Sequence, residues 1–195
     1  MARGEPSVKP CEGLVCESPK SRVQPRDPTH YHKPPKPLGE INLLTDLGFY
    51  QTLDFINESR IGIASQALGI AQGAFDRAVA YAKQRVQFGQ PISSFQVIQH
   101  KLADMATKIE TARLVVYKAA WLVDQGRGDI KMSSMAKLHA ARTAVEVCDE
   151  AVQILGGYGY LLENEVERFY RDARITEIYE GTREIQKNTI AARLI

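Results

Sequence analysis

The sequence of 195 residues predicts an all-α protein: a four-helix up-and-down bundle with one extra short helix, preceded by a disordered proline-rich tail. Eight of the nine prolines lie within residues 1–37, so the rest of the chain is almost free of helix breakers. From about residue 41 onward, apolar residues recur at intervals of three and four, the period of an amphipathic helix. We find no convincing run of alternating apolar and polar residues, the pattern of a half-buried strand.

Residues 1–40 are predicted to form the tail, and residues 41–195 the helical bundle. Proline lacks an amide donor and restricts its neighbour, and the tail is also poor in apolar residues, so its composition favours disorder. It has neither the apolar core of a secretory signal nor the acid-poor composition of a transit peptide. We therefore expect a cytoplasmic protein, with the mitochondrial matrix as the alternative.

The first predicted helix covers about residues 49–85. Its apolar residues form one stripe, and it stops before the turn Gly89-Gln90-Pro91, because proline lacks the amide hydrogen that helix bonding needs. The second predicted helix begins after Ser93 or Ser94, which are both good N-cap residue types. It ends at the glycine-containing turn 126–129, a typical helix stop.

The third predicted helix spans about residues 130–155. It ends at Gly156-Gly157-Tyr158-Gly159, a strong C-cap and turn signal. A short helix covers about residues 163–171, and a last helix follows Gly181 to the C-terminus. Connections this short favour antiparallel neighbouring helices, as in an up-and-down bundle.

Composition excludes several classes of protein. The net charge is +2, and residues 41–195 carry as many basic as acidic residues, which argues against a dedicated nucleic-acid binder. No run of about 18 apolar residues occurs, so no membrane span is predicted. Three cysteines, Cys11, Cys16 and Cys148, are too few and too scattered for a disulfide scaffold.

The residues that could carry chemistry form none of the usual constellations. The sequence has no P-loop, no Gly-x-Gly-x-x-Gly, no Gly-x-Ser-x-Gly elbow and no Glu-x-x-His pair of a di-iron bundle. His100 and His139 lack an acidic partner at ligand spacing, and Cys11 and Cys16 lack the C-x2-C spacing of common zinc sites. We predict no metal site, and composition and spacing alone indicate only a helical bundle.

Five short motifs, taken in their order along the chain, are more specific. They are Arg60-Ile-Gly-Ile-Ala, Gln84-Arg85-Val-Gln-Phe88-Gly89, Gln153-Ile-Leu-Gly156-Gly157-Tyr-Gly159, Arg171-Asp172-Ala-Arg174 and Ile178-Tyr179-Glu180-Gly181-Thr182. With them, about residues 48–195 resemble the C-terminal helical domain of acyl-CoA dehydrogenases. Residues 1–40 resemble neither the N-terminal helical domain nor the central β-domain of that family. We therefore expect a truncated form consisting of the C-terminal domain.

The resemblance implies an FAD-dependent enzyme that desaturates acyl-CoA thioesters between Cα and Cβ. In this family a carboxylate removes the α-proton while FAD takes the β-hydrogen as hydride, so the protein supplies orientation and a base. The Tyr-Glu-Gly-Thr motif identifies Glu180 as that base. Outside these motifs, Glu180 would be interpreted as a first-turn helix glutamate, favoured by the helix dipole.

One position indicates the branch of the family. In the isovaleryl and long-chain branches, the base stands just before the arginine that Arg60 matches. That position is Ser59 here, and Glu58 is adjacent. The sequence is therefore more similar to the short-, medium- and branched-chain branch.

The resemblance also implies which residues contact ligands. Arg85 is similar to an arginine that reaches the FAD pyrophosphate of a neighbouring subunit, and a guanidinium fork suits phosphate oxygens. The implied FAD contacts are Arg85, Gln87, Phe88, Gln96, Gln153, Ile154, Leu155, Gly156, Gly157, Thr182 and Glu184. The implied substrate contacts are Asn57, Glu58, Ser59, Arg60, Tyr179 and Gly181.

The same resemblance implies a homo-oligomer, a dimer of dimers, with an electron transfer flavoprotein as the electron acceptor. The alternative from a different class is a non-catalytic helical oligomerisation module, or a relic that lacks the flavin-enclosing domains. FAD-contacting motifs favour the enzyme, whereas the missing domains favour the module.

Overall fold

The computed structural model describes residues 47–195, and the predicted tail, residues 1–40, lies outside the described residues. Five helices and one short hairpin follow one another along the chain. They are α1 (Leu47–Gln84), β1 (Val86–Gln87), β2 (Gln90–Pro91), α2 (Gln96–Asp124), α3 (Ile130–Leu155), α4 (Val166–Thr176) and α5 (Arg183–Ala191). No helix in this part of the chain is long and apolar enough to cross a bilayer.

Polar contacts between helices define the directions of the first three. Lys101, near the start of α2, pairs with Glu150, near the end of α3, so these two helices are antiparallel. Arg60 in the first half of α1 donates to Ser134 near the start of α3, so α1 and α3 run in the same direction. The first three helices therefore run up, down and up.

The fourth helix completes the bundle in the opposite direction to α1. Just before α4, Glu165 pairs with Arg77 in the second half of α1, at 2.8 Å. Just after α4, Tyr179 donates a hydrogen bond to Gln66, a residue earlier in α1. The prediction of an all-α, up-and-down four-helix bundle with an extra short helix, α5, is thus confirmed.

Alanine residues line the core face of α1. Ala64, Ala67, Ala71, Ala74 and Ala78 follow one another at intervals of three and four, and each is fully buried. Alanine side chains lie also on the buried face of α3, against which α1 packs most extensively. Small side chains allow two helices to approach closely, because helix separation depends on the residues at the contact.

One local prediction for the link between α1 and α2 is wrong, and one feature of this link was not predicted. Ser93 and Ser94 do not cap α2, because residues 92–94 form a 3-10 turn and Phe95 occupies the N-cap position without a side-chain hydrogen bond. The antiparallel pairing of β1 with β2 was not predicted. Two residues per strand are too few for a period of two to be visible.

The predicted bounds of α3, about residues 130–155, are confirmed. Asp129 caps its N-terminus by accepting a hydrogen bond from the Lys131 amide at 2.9 Å, and Gly156 ends the helix with φ of 60°. The short helix predicted at 163–171 lies later in the chain, at Val166–Thr176, and a 3-10 turn at residues 162–164 precedes it.

The crossing of α1 and α4 generates a stability prediction. A Cβ atom added at Gly73 would lie 2.8 Å from the Phe169 ring. The Arg77 guanidinium stacks 4.5 Å from the centroid of that ring, which limits how far the ring can move away. We expect Gly73→Ala to destabilise the chain by about 1–3 kcal/mol through overpacking. The matched control is Gly69→Ala, which meets nothing within 4 Å on the same helix. It should stabilise by about 0.5–1 kcal/mol through helix propensity. Urea unfolding of both variants measures the difference, and equal effects would contradict the packing argument.

Candidate functional site

The segment after α4 brings a carboxylate to the first half of α1. Glu180 Oε2 accepts a hydrogen bond of 2.7 Å from Ser59 Oγ, although the two residues are 121 positions apart. Ser59 Oγ also lies 3.0 Å from the Ile56 carbonyl. The two positions at which a base was considered, Glu180 and the position of Ser59, therefore face each other across one site.

The backbone at this carboxylate is left-handed over two residues. Glu180 has φ of 54° and Gly181 has φ of 93°. This region is accessible to glycine but strained for glutamate. A Cβ atom added at Gly181 would also lie 2.7 Å from Gln186 Nε2, so both the conformation and the space require glycine there.

Side chains from the bundle interior hold the carbonyl groups of this turn. Gln186 Nε2 donates to the carbonyls of Glu180 and Gly181, each at 3.0 Å. Lys137 Nζ donates to the Gly181 carbonyl at 2.7 Å. Gln186 and Lys137 are both buried.

Two buried cations surround the carboxylate. Arg60 donates from Nη1 to Asn57 Oδ1 at 3.0 Å and to Ser134 Oγ at 3.2 Å, and its Nε has no hydrogen-bond partner among residues 47–195. Burial lowers the pKa of Arg60, and the charge of Glu180 opposes that effect. Burial, then the charge of Arg60, lowers the pKa of Lys137 to about 8, against an opposing effect of Glu180. The two buried cations and the Glu180 carboxylate therefore interact electrostatically at this site.

The other residues predicted to contact substrate lie around this turn, with one exception. Tyr179 donates to Gln66, and burial raises the pKa of its hydroxyl. Glu58 is exposed. It lines, with Asn57, a neighbouring cavity of about 660 Å³ whose walls also include Asp129 and Arg193.

A second site lies at the opposite end of the bundle. It is an open groove of about 640 Å³ between the ends of α1 and α3. The Arg85 guanidinium stands 5.4 Å from the Tyr158 ring centroid, and the Tyr81 ring lies 6.3 Å from the same ring. The groove also contains Gln87 and the run Ile154, Leu155, Gly156 and Gly157.

Eight of the eleven predicted FAD contacts fall into two groups. Six of them, Arg85, Gln87, Ile154, Leu155, Gly156 and Gly157, line the groove. Thr182 and Glu184 lie instead beside the Glu180 turn, where Thr182 is the N-cap position of α5. Phe88, Gln96 and Gln153 are exposed and do not line the groove, and the Phe88 ring packs edge-on against Phe95 at 6.1 Å. Arg85 directly follows α1 and is 25 residues after Arg60, so the Glu180 turn and the groove lie about 38 Å apart along the helix.

Sequence reasoning missed Ser134, Lys137 and Gln186 at the Glu180 turn. A signal for Lys137 was present, because the buried positions of α3 include Ser134, Lys137, Ala141 and Ala144 at helical spacing. A lysine within such a stripe is uncommon, since lysine is almost never fully buried without a partner. The pattern indicates a buried contact, but it does not identify the partner.

Comparisons with known proteins agree with this architecture. The family model described as Acyl-CoA dehydrogenase, C-terminal domain, matches residues 46–195. The chain is 54% identical over 149 residues to the human short-chain specific acyl-CoA dehydrogenase, mitochondrial, covering 76% of this chain and 36% of that protein. It is 49% identical over 158 residues to the caffeyl-CoA reductase-Etf complex subunit CarC of Acetobacterium woodii, covering 81% of this chain and 41% of that protein.

A solved structure shows the same fold. Butyryl-CoA dehydrogenase from Megasphaera elsdenii matches with a TM-score of 0.75 at 50% identity, covering 75% of this chain and 38% of that one. The chain therefore spans about two fifths of the length of the proteins it matches. On the family model and these identities, the chain belongs to the acyl-CoA dehydrogenase family, and residues 46–195 correspond to its C-terminal domain.

Proposed function

We propose that this chain supplies the C-terminal part of an FAD-dependent acyl-CoA dehydrogenase that desaturates acyl-CoA thioesters between Cα and Cβ. The observation that carries the proposal is the Glu180 carboxylate held by Ser59, next to the buried cation Arg60. A carboxylate that a side chain on a neighbouring helix fixes by a hydrogen bond is a candidate general base.

In the proposed reaction, Glu180 accepts the α-proton of the thioester, and the carbon–hydrogen bond that breaks leaves its electron pair to form the new double bond. FAD, when bound, takes up the β-hydrogen as hydride. Ser59 keeps the carboxylate oriented before the transfer, and Asn57 keeps Arg60 oriented beside it. Tyr179 and Gly181 complete the substrate side, and Gly181 lets the backbone approach closely because it has no side chain.

The groove at the other end of the bundle fits the pyrophosphate and adenosine parts of FAD. Arg85 offers a guanidinium for phosphate oxygens. Gly157 leaves open space above its backbone, since a Cβ atom there would meet nothing within 4 Å. Tyr81 and Tyr158 add flat apolar walls. We assign Arg85, Gln87 and residues 154–157 to the FAD of a neighbouring subunit, and Thr182 and Glu184 to the flavin beside Glu180.

An apolar stripe on α2 supports self-association. Leu114, Tyr117 and Trp121 occupy one face and are 62%, 60% and 54% exposed. Large exposed apolar residues grouped on one face are typical of an interaction surface. We assign this stripe to contact between copies of the chain in a dimer of dimers. An electron transfer flavoprotein is the proposed electron acceptor, supported by the relative that is named as part of an Etf complex.

The test of the base uses a chimera in which residues 47–195 replace the corresponding part of the butyryl-CoA dehydrogenase. We expect Glu180→Gln to slow acyl-CoA-dependent flavin reduction by about a hundred- to ten-thousand-fold, because glutamine preserves volume but does not accept a proton. FAD absorbance should remain, since packing survives. The comparison variant is Glu58→Gln, which should reduce flavin far faster than Glu180→Gln, because Glu58 is exposed and lines the neighbouring cavity. If Glu58→Gln were slow and Glu180→Gln were not, the base would lie on α1.

The test of self-association uses the 195-residue chain in sedimentation velocity. We expect an oligomer at tens of micromolar, and we expect Trp121→Glu to weaken association by roughly thirtyfold, equivalent to about 2 kcal/mol for a buried interface aromatic. Leu162→Glu is the control, because Leu162 is exposed by 73% but lies away from α2. A monomeric parent chain, or equal effects of both substitutions, would contradict the assignment of the α2 stripe.

A further inference from the structure

The turn at Glu180 depends on two donors that are sealed inside the bundle. Lys137 and Gln186 are 1% and 0% exposed, so water does not compete for their hydrogen bonds. Together they donate three hydrogen bonds to two consecutive carbonyl groups, those of Glu180 and Gly181. Carbonyl groups turned into a protein interior need such partners, because an unpaired buried backbone group is unfavourable.

The same turn has little support from its own backbone. Both Glu180 and Gly181 are left-handed, and this conformation is strained for a residue with a side chain. A strained conformation persists only where the surrounding structure holds it. Here the holding groups come from α3 and α5, outside the turn itself.

The segment that contains the turn, residues 177–183 from the end of α4 to the start of α5, is anchored separately at its two ends. Glu177, at the end of α4, is only 2% exposed and pairs with Arg174. Its other oxygen lies 3.5 Å from Arg183 and 3.9 Å from Arg142. Because Arg183 begins α5, these ion pairs fix the segment on both sides of Glu180. Lys137 and Gln186 therefore act on the middle of the segment.

A lysine is an unfavourable choice if the position serves packing alone. Burial and the adjacent charge of Arg60 lower the pKa of Lys137 to about 8, so the folded chain disfavours its charged form. An apolar residue of similar size at a buried charged position is often neutral or stabilising. We therefore expect Lys137 to orient the backbone at Gly181. A measurement of the free energy of unfolding alone does not reveal this role.

We propose that Lys137 and Gln186 form a clamp that fixes the left-handed Glu180–Gly181 turn and thereby aims the Glu180 carboxylate at Ser59 and the substrate. Lys137 is in this sense a positioning residue. It touches neither the reacting atoms nor the carboxylate, and it acts through the Gly181 carbonyl. The inference rests on the proposed function, in which Glu180 is the base.

The experiment measures backbone order by nuclear magnetic resonance in the full 195-residue chain. In the parent, Glu180 and Gly181 should have order parameters of about 0.85, as in the helices, and in Lys137→Met they should fall below about 0.6. The melting temperature should be unchanged or higher, because methionine removes a buried charge. The matched control is Lys101→Met, which breaks the ion pair with Glu150 and should leave Glu180 and Gly181 ordered.

Two outcomes would overturn the clamp. If Glu180 and Gly181 remained ordered in Lys137→Met, the lysine would not hold the turn. If Lys137→Met lowered the melting temperature and loosened all helices alike, its role would be structural and not positional. Gln186→Leu provides a second variant, in which Glu180 and Gly181 should also lose backbone order. If they remained ordered in this variant, or if all helices loosened alike, the clamp would be contradicted in the same way.

A titration of the unmutated chain tests the clamp without any substitution. The charged groups facing Lys137 are Arg60 from α1 and Glu180 from the segment after α4. The carbonyl ¹³C shift of Gly181 should move with a midpoint at pH about 8, where Lys137 loses its proton, and the step should be missing in Lys137→Met. The Nζ shift of Lys137 reports its own titration, and a Gly181 carbonyl shift that does not follow it at any pH would contradict the hydrogen bond on which the clamp depends.

Stability against pH has a defined sign. The unfolded lysine holds its proton up to its ordinary pKa of 10.5, and the folded lysine releases it at about 8. Between these values the unfolded chain binds more protons, so the parent should gain stability relative to Lys137→Met as pH rises. None of these readouts measures catalysis. A failure of the clamp is therefore distinguishable from a failure of Glu180 as the base, which only the chimera reports.

Discussion

The close packing of α1 along α3 is the constraint on which the other features depend. Buried alanines on both helices allow the two axes to run side by side in the same direction. Because they run parallel, the first halves meet at one end, where Arg60 reaches Ser134. The last turns meet at the other end, where Arg85 reaches Tyr158. Both candidate sites are thus consequences of a single helix contact.

The Glu180 end concentrates the features that are unfavourable for folding. It contains two buried cations and an arginine nitrogen without a partner among residues 47–195. Elsewhere in the described bundle, charged residues form ion pairs that are at least partly exposed, such as Lys108 with Glu146. Proteins commonly accept strain and buried charge where geometry is needed for function. This contrast supports the proposal that Glu180 is the base.

The groove end is different in character. It is open and lined by aromatic rings, exposed glycine backbone and one guanidinium. The chemistry of this surface suits a flat, anionic group. The two ends lie about 38 Å apart, so the proposed function assigns the two groups of residues to two different FAD molecules.

The sequence by itself determined the helices and the family, and it predicted Glu180 as the base. Gly156 marked the end of α3 correctly, because capping acts within one turn of helix. The ordered motifs indicated the family, and the prediction of Glu180 as the base rests on them. The sequence did not determine that Phe95, and not a serine, stands at the N-cap of α2, since the preceding residues are used in a 3-10 turn. Only the tertiary structure decided that Ser59 meets Glu180, and that Lys137 and Gln186 hold the turn. The physical reason is that capping and periodicity act between near neighbours in the chain, whereas a contact across 121 residues exists only once the helices have packed.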